Sequence, residues 1–150
     1  MFITPKDDDL IPYVLTQILD ACVNGVTLSD PDTPDNPIVY ANKAFEEISG
    51  YTQEEIVGRN CRFLQGGDRD QEGLQTIRAA LQRHEACVVT LRNYRKNGEL
   101  FFNRLAIRPL LDRDGHVIYY LGVQYDITEQ LQAREELEKL HIEIERREAG

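Results

Sequence analysis

The chain is poor in cysteine, has no long apolar run and carries far less positive than negative charge. Each shortage removes a class of protein. The three cysteines, Cys22, Cys61 and Cys87, are odd in number, far apart and free of any CxxC spacing. That usage argues against a disulfide framework and against a zinc site, so no metal is expected, and it suits a reducing, cytoplasmic location. No apolar stretch approaches the roughly 20 residues of a membrane span, and the N-terminus has no signal-peptide pattern, so no membrane contact is expected. The formal net charge of −9 speaks against direct nucleic-acid binding, which needs a basic stripe to neutralise phosphates. What remains is a chain of 150 residues with 41% apolar content, enough for one compact domain with short extensions.

Hydropathy patterning gives the elements. Leu10, Val14, Ile18 and Cys22 recur at a helical period, flanked by Ile11, Leu15 and Leu19, and predict a helix that Gly25 ends. Asp7, Asp8 and Asp9 favour its positive end, and Pro12 is tolerated in a first turn. Short strands follow at Val26 to Ser29 and Ile38 to Tyr40, separated by the turn-rich stretch from Pro31 to Pro37. Thr52 and Glu55 form a capping-box pattern, and Asp70 is a candidate cap for a helix on which Leu74, Ile77 and Leu81 share a face. Cys87 to Tyr94, Leu100 to Leu110 and His116 to Ile127 then read as three long strands. Their connectors end in Asn97-Gly98 and Asp114-Gly115, which is hairpin chemistry. The order predicts an α+β domain with helices packed on one face of an antiparallel sheet. A charged helix from Thr128 to Glu148 closes the chain. Its narrow seam of Ala133, Leu137, Leu140 and Ile144 fits either a solvated helix or a short coiled coil.

Counting by two along the long strands exposes an anomaly. One face reads Val89, Leu91, Asn93; Phe101, Asn103, Leu105, Ile107; and Ile118, Tyr120, Gly122, Gln124. It is apolar apart from one carboxamide per strand. A buried carboxamide without partners costs about 1–3 kcal/mol, so three of them need something to bind. They either bond one another and nearby backbone, or they match the edge of a flat polar heterocycle, since each offers both N–H and C=O. Gly122 would allow close approach of such a ring to the sheet.

The segment Gly58 to Gly66 holds a cysteine in unusual company: Arg59 and Arg62 flank Cys61, Asn60 and Gln65 are polar, and glycines bound the stretch. Cys22 and Cys87 read as small core hydrophobes. Arg62, Arg69 and Arg78 are candidates to gather around a phosphate, with surface ion pairing the better reading for Arg69.

The run GRNCRFLQG over residues 58–66 reproduces, letter for letter, the photoactive stretch of the light, oxygen or voltage (LOV) family, a flavin-binding branch of the PAS fold. Asp30-Pro31, Pro34 to Pro37, Asn93-Tyr94, Phe102-Asn103 and Gly122 to Gln124 extend the resemblance, which covers about residues 25–128. The resemblance implies a PAS/LOV fold with a five-stranded antiparallel sheet and flanking helices at both ends. It divides the chain into an N-terminal cap helix (1–24), a LOV core (25–127) and a C-terminal amphipathic or coiled-coil helix (128–150). It implies flavin mononucleotide (FMN) as cofactor and Cys61 as the thiol that adds reversibly to flavin carbon C4a in blue light. Arg62 and Arg78 look like phosphate clamps, Asn93 and Asn103 like partners of the pyrimidine edge, and Gln124 like the amide facing O4 and N5. Asn60 and Gln65 look like neighbours of the ring edge or ribityl chain. Leu64, Leu74, Ile77, Leu81, Leu105 and Ile107 would pack on the ring, with Ser29 and Asn36 nearby. Phe102 stands where the family usually has Trp. Thr27 stands where Val is common and adds a hydroxyl that would tune colour or adduct lifetime.

On this reading, adduct formation makes Gln124 turn its amide, next to the junction with the C-terminal helix, and so biases helix packing. Val88, Phe102, Ala106, Tyr119, Leu121 and Val123 would form an apolar patch on the opposite sheet face, to be covered by a terminal helix or a second copy. The expected partners are therefore a homodimer and a separate downstream signalling molecule, as in short bacterial family members without an effector domain. No enzyme is expected, because neither a hydride-donor pattern nor a Ser/His/Asp or metal-ligand cluster appears. The alternatives are a PAS module without photochemistry, serving as a flavin redox sensor or for dimerisation, and a flavin oxidoreductase. Haem is disfavoured because His84, His116 and His141 sit at element ends or on the last helix.

Overall fold

A computed structural model of the chain describes residues 10–150, with the backbone alone at 10–12. The expected roles of Asp7 to Asp9 and of the Leu10, Ile11 and Pro12 side chains therefore lie outside the described residues. In chain order the elements are α1 (Leu10–Ala21), β1 (Gly25–Ser29), β2 (Ile38–Ala41), α2 (Lys43–Ser49), α3 (Gln53–Ile56), a 3₁₀ turn (Cys61–Gln65), α4 (Glu72–Arg83), β3 (Cys87–Tyr94), β4 (Leu100–Leu111), β5 (Val117–Asp126) and α5 (Thr128–Ala149). The strands form one antiparallel sheet in the order β2-β1-β5-β4-β3, and the short helices cover one face of it. This is an α+β fold of PAS type. Among the described residues no helix is long and apolar enough to cross a membrane.

Alternation along the strands sorts their side chains. Val89, Leu91, Asn93, Phe101, Asn103, Leu105, Ile107, Tyr120, Gly122 and Gln124 are buried on the helix-covered face. Ile118, expected with them, is 40% exposed: the β4–β5 register shifts between Leu110 and Leu111, and Val117 packs on the inner cluster instead. Two clusters fill the interior. Leu74, Val89, Leu91, Leu105, Ile107 and Tyr120 lie under α4, and Ile38, Ala41, Phe45, Ile56 and Leu64 lie under α2, α3 and the 3₁₀ turn. Between them runs the row of polar residues.

Local signals explain most boundaries. Thr52 and Glu55 make both bonds of a capping box at α3. The cap of α4 is Gln71, not Asp70, and its side chain makes no cap bond. The Gln71 carboxamide instead donates to the carbonyls of Asp68 (2.7 Å) and Arg92 (2.9 Å) and accepts from Arg92 N–H (2.7 Å), tying the loop after the 3₁₀ turn to β3. Gly73 lets α4 close on β3, where an added Cβ would lie 2.9 Å from Leu91 Cδ2. Cys22 follows α1 and is exposed, not a core residue, and Ile18 is 52% exposed. The end of α1 is held by polar bonds instead. Fully buried Asn42 donates to the carbonyls of Leu19 (2.8 Å) and Asn24 (3.0 Å) while accepting from Val26 and Phe45 N–H.

Asp68 joins the same strap. It accepts a two-pronged bond from the Arg92 guanidinium (2.7 and 2.9 Å) and one from the Tyr94 hydroxyl (2.8 Å), which together hold its carboxyl down at about 2. A carboxyl whose folded-state pKa is lowered stabilises the fold above its unfolded value, near 4, and loses that contribution as pH falls through about 2. Asp68→Asn is therefore expected to lower stability at neutral pH and to flatten the loss between those two pH values, read from thermal melts across an acid series.

The opposite sheet face is open and carries an apolar strip beside exposed Thr90, Arg104 and Arg108. Val88 is 58% and Tyr119 38% exposed, and Ala86, Cys87, Val88, Ala106, Leu121 and Val123 form a shallow groove. Among the described residues neither terminal helix covers it. Helix α5 meets the sheet at its first turn, and its Leu137, Leu140 and Ile144 are exposed.

Candidate functional site

The site begins with the two glycines that bound the cysteine segment. Gly58 and Gly66 both have positive φ (93° and 56°), a conformation that disfavours any side chain, and an added Cβ at Gly58 would meet nothing. Backbone shape, not space, requires glycine there. The chain then enters the 3₁₀ turn through Asn60, whose Oδ1 accepts from Arg62 N–H (2.9 Å) and whose Nδ2 donates to the Asp35 carbonyl (2.7 Å). Bonds from Ile38 N–H to Arg59 O and from Gly58 N–H to Ile38 O, each 2.8 Å, fasten the segment to β2. Cys61 is thereby aimed into the interior.

There it meets a cavity of two adjoining lobes that share Cys61, Ile77, Leu81, Leu105 and Gln124. One lobe adds Thr27, Ser29, Asn36, Ile107, Tyr120 and Gly122. The other adds Asn60, Arg62, Leu64, Gln65, Arg69, Leu74, Arg78, Leu91, Asn93 and Asn103. Every site residue singled out in the sequence thus borders one space. Leu91 and Tyr120 were not among them, although the count by two had put both on this face. Arg69 had been assigned to surface pairing. It lines the cavity with Arg62 and Arg78, and neither it nor Arg78 makes an ion pair among the described residues. Arg62 does: it is paired with Asp35.

The cavity wall joins an apolar floor to unmatched polar atoms. Asn103 Nδ2 donates to Asn93 Oδ1 (2.9 Å), and Asn93 Nδ2 donates to the Arg92 carbonyl (3.0 Å). Gln124 Nε2 donates to the Thr27 hydroxyl (3.1 Å). Oδ1 of Asn103 and Oε1 of Gln124 are buried and have no partner in the protein. Buried acceptors left this way are rare and each costs about 1–3 kcal/mol. Two acceptors on one wall fit the edge of a planar heterocycle that carries N–H groups, with apolar side chains for its faces and arginines for an anionic tail. Burial also pushes the Cys61 thiol above the ordinary cysteine range, so at neutral pH it is S–H and not thiolate.

Gly122 lines the cavity and also makes room for two of the protein's own side chains. The space beside it is taken by the protein itself: an added Cβ would lie 2.7 Å from Thr27 Oγ1 and 3.1 Å from Gln124 Nε2. Gly122→Ala is expected to push these two side chains apart and to lower stability by about 1–3 kcal/mol, read by thermal melting.

Past Gln124 the geometry leads to α5. Asp126 accepts from Arg95 (2.7 Å) and from Thr128 N–H (3.1 Å), and Phe102 N–H donates to the Thr128 hydroxyl (3.0 Å). Partial burial raises the Asp126 carboxyl, but the Thr128 and Arg95 bonds outweigh it and hold it below the usual carboxylate range.

Residues 23–129 match the PAS domain family. The chain is 44% identical to a blue-light photoreceptor of Listeria innocua over 133 residues, 89% of this chain and 52% of that protein. It spans about half the length of the curated relatives it matches first. Among solved structures it resembles a light-oxygen-voltage domain studied with a flavin analogue (TM-score 0.73, 42% identity), covering 89% of this chain and 98% of that one. It also resembles an RNA-binding light-oxygen-voltage receptor (TM-score 0.81, 35% identity), covering 94% of this chain and 40% of that one.

Proposed function

Because the chain belongs to the light-oxygen-voltage branch of the PAS family, we propose that it is a blue-light photoreceptor that holds FMN and uses Cys61 as its photoactive thiol. The observation that carries this reading is the pair of orphaned carboxamide oxygens, on Asn103 and Gln124, in the cavity that Cys61 also lines. A bound flavin would supply blue absorption and, once excited, an electrophilic ring carbon.

This chain's residues do the rest. Asn93 and Asn103 hold the pyrimidine edge. Arg62 and Arg78, joined by Arg69, hold the phosphate, and Arg62 exchanges its Asp35 partner for it. Leu64, Leu74, Ile77, Leu81, Leu105 and Ile107 exclude water from the ring. Cys61 would supply both a sulfur and a proton to the excited ring, and taking both back would restore the dark protein. Gln124 would meet a ring acceptor with its amide nitrogen turned to the cavity and its oxygen to Thr27, and a ring donor in the orientation seen here, with Nε2 on Thr27 and Oε1 free. Two residues further on, Asp126 anchors α5, so a turn of the amide between the two biases the helix.

The output is proposed as a rearrangement within a homodimer that buries the apolar strip of the open sheet face and the exposed seam of α5, relayed to a separate signalling partner. The protein would act in the cytoplasm as a sensor without enzymatic turnover of its own. Absorption spectra of the purified protein before and after blue light test the reading. A flavin band that bleaches and slowly returns supports it, and a protein that refuses FMN or keeps its band under light overturns it.

A further inference from the structure

We propose that Thr27 is a positioning residue that keeps Gln124 hydrogen-bonded in either orientation of its amide. The inference rests on the reading of Gln124 as the amide that turns. Among the described residues the Gln124 side chain makes one hydrogen bond, from Nε2 to Thr27 Oγ1 (3.1 Å), and its other end, Oε1, has no protein partner. Both residues are buried, at 4% and 3% exposure. Glycine at 122 creates the room: any Cβ there would fall 2.7 Å from the Thr27 hydroxyl.

The chemistry of the partner is what matters. A backbone carbonyl or a carboxylate in Thr27's place would accept only, and would lock Nε2 toward itself. An N–H would lock Oε1. A hydroxyl has one donor and two acceptor sites and rotates freely between them. When the amide turns by half a rotation, Nε2 replaces Oε1 at almost the same point, and Thr27 changes from donating to accepting, as it does in the orientation seen here. The protein side of Gln124 is therefore satisfied equally before and after. The preference is left to the group on the cavity side.

The test uses the full chain loaded with FMN, as wild type, Thr27→Val and Thr27→Ser. In the dark, hydrogen exchange of the Gln124 side-chain amide, assigned by NMR against Gln124→Leu, is expected to run roughly fivefold faster in Thr27→Val and to stay near wild type in Thr27→Ser. On illumination, infrared difference spectra are expected to show a hydroxyl-stretch band that moves in heavy water, in wild type and Thr27→Ser but not in Thr27→Val. Unchanged exchange in Thr27→Val, or the same hydroxyl band without the Thr27 hydroxyl, overturns the proposal. If Thr27→Val proves insoluble, Thr27→Ala serves in its place. A wild type that binds FMN yet fails to bleach refutes the photoreceptor reading alone, because dark exchange still reports whether Thr27 holds Gln124.

Discussion

Cys61→Ala protein is expected to take up flavin as the wild type does, to fluoresce, and to show no bleaching of its blue band at any light dose. The loss should be complete, because no other thiol can substitute. Cys22 is exposed beyond α1, and Cys87 packs against the inner cluster at the start of β3 but does not line the cavity. The fold should survive. Cys61 packs at the edge of the cluster around Phe45 and Leu64, and removing one heavy atom there costs about 1 kcal/mol or less. Cys61→Ser is the sharper control. It keeps the volume and the polarity of the position, and it should be equally dark-adapted under light. Bleaching with slow return in either variant would show that another group receives the excitation.

Asn103→Leu is expected to weaken flavin binding far more than it lowers stability. Asn103 is 2% exposed, its Nδ2 is bonded to Asn93, and its Oδ1 has no partner in the protein. Replacing it by an apolar group of similar size removes that unsatisfied acceptor but leaves buried Asn93 Oδ1 unsatisfied in its place, so these two costs of about 1–3 kcal/mol offset and one bond worth about 1 kcal/mol is lost. The flavin-free protein should thus melt only slightly below wild type. FMN, deprived of that oxygen, should bind roughly tenfold to a hundredfold more weakly, since each 1.4 kcal/mol is a factor of ten. Calorimetric melting without flavin and fluorescence titration with it read the two effects separately. A variant that melts much lower and binds FMN unchanged would mean that Asn103 serves the core and not the ligand.

The strands, the hairpins and the inner face were legible because their signals are local. Alternation places side chains by parity, and Asn-Gly and Asp-Gly mark turns wherever they occur. The capping box at Thr52 and Glu55 needed no distant information either. Readings that required knowledge of distant partners fared worse. Asp70 was a better cap than Gln71 by residue type, yet Gln71 takes the position because its carboxamide is held by β3, 21 residues away. Cys22 looked internal by helical period, but α1 ends before it and is pinned by Asn42 instead of by an apolar face. The Arg62–Asp35 pair, 27 residues apart, and the Thr27–Gln124 bond, 97 residues apart, have no sequence signal at all. The role of Gly122 could not be guessed without them. Thr27 attracted notice only because the resemblance made it a departure.

Helix α5 is attached at its root and bare elsewhere. Ile127, Thr128 and Asp126 fix its first turn to Phe102 and Arg95, and no residue of its 22 is buried. At 1.5 Å per residue it reaches about 33 Å, so a tilt of about 10° at the root sweeps the tip through about 6 Å. A displacement the size of one reoriented amide inside the domain is thereby magnified into a movement as wide as a helix turn outside it, in the manner of a pointer on a fixed pivot.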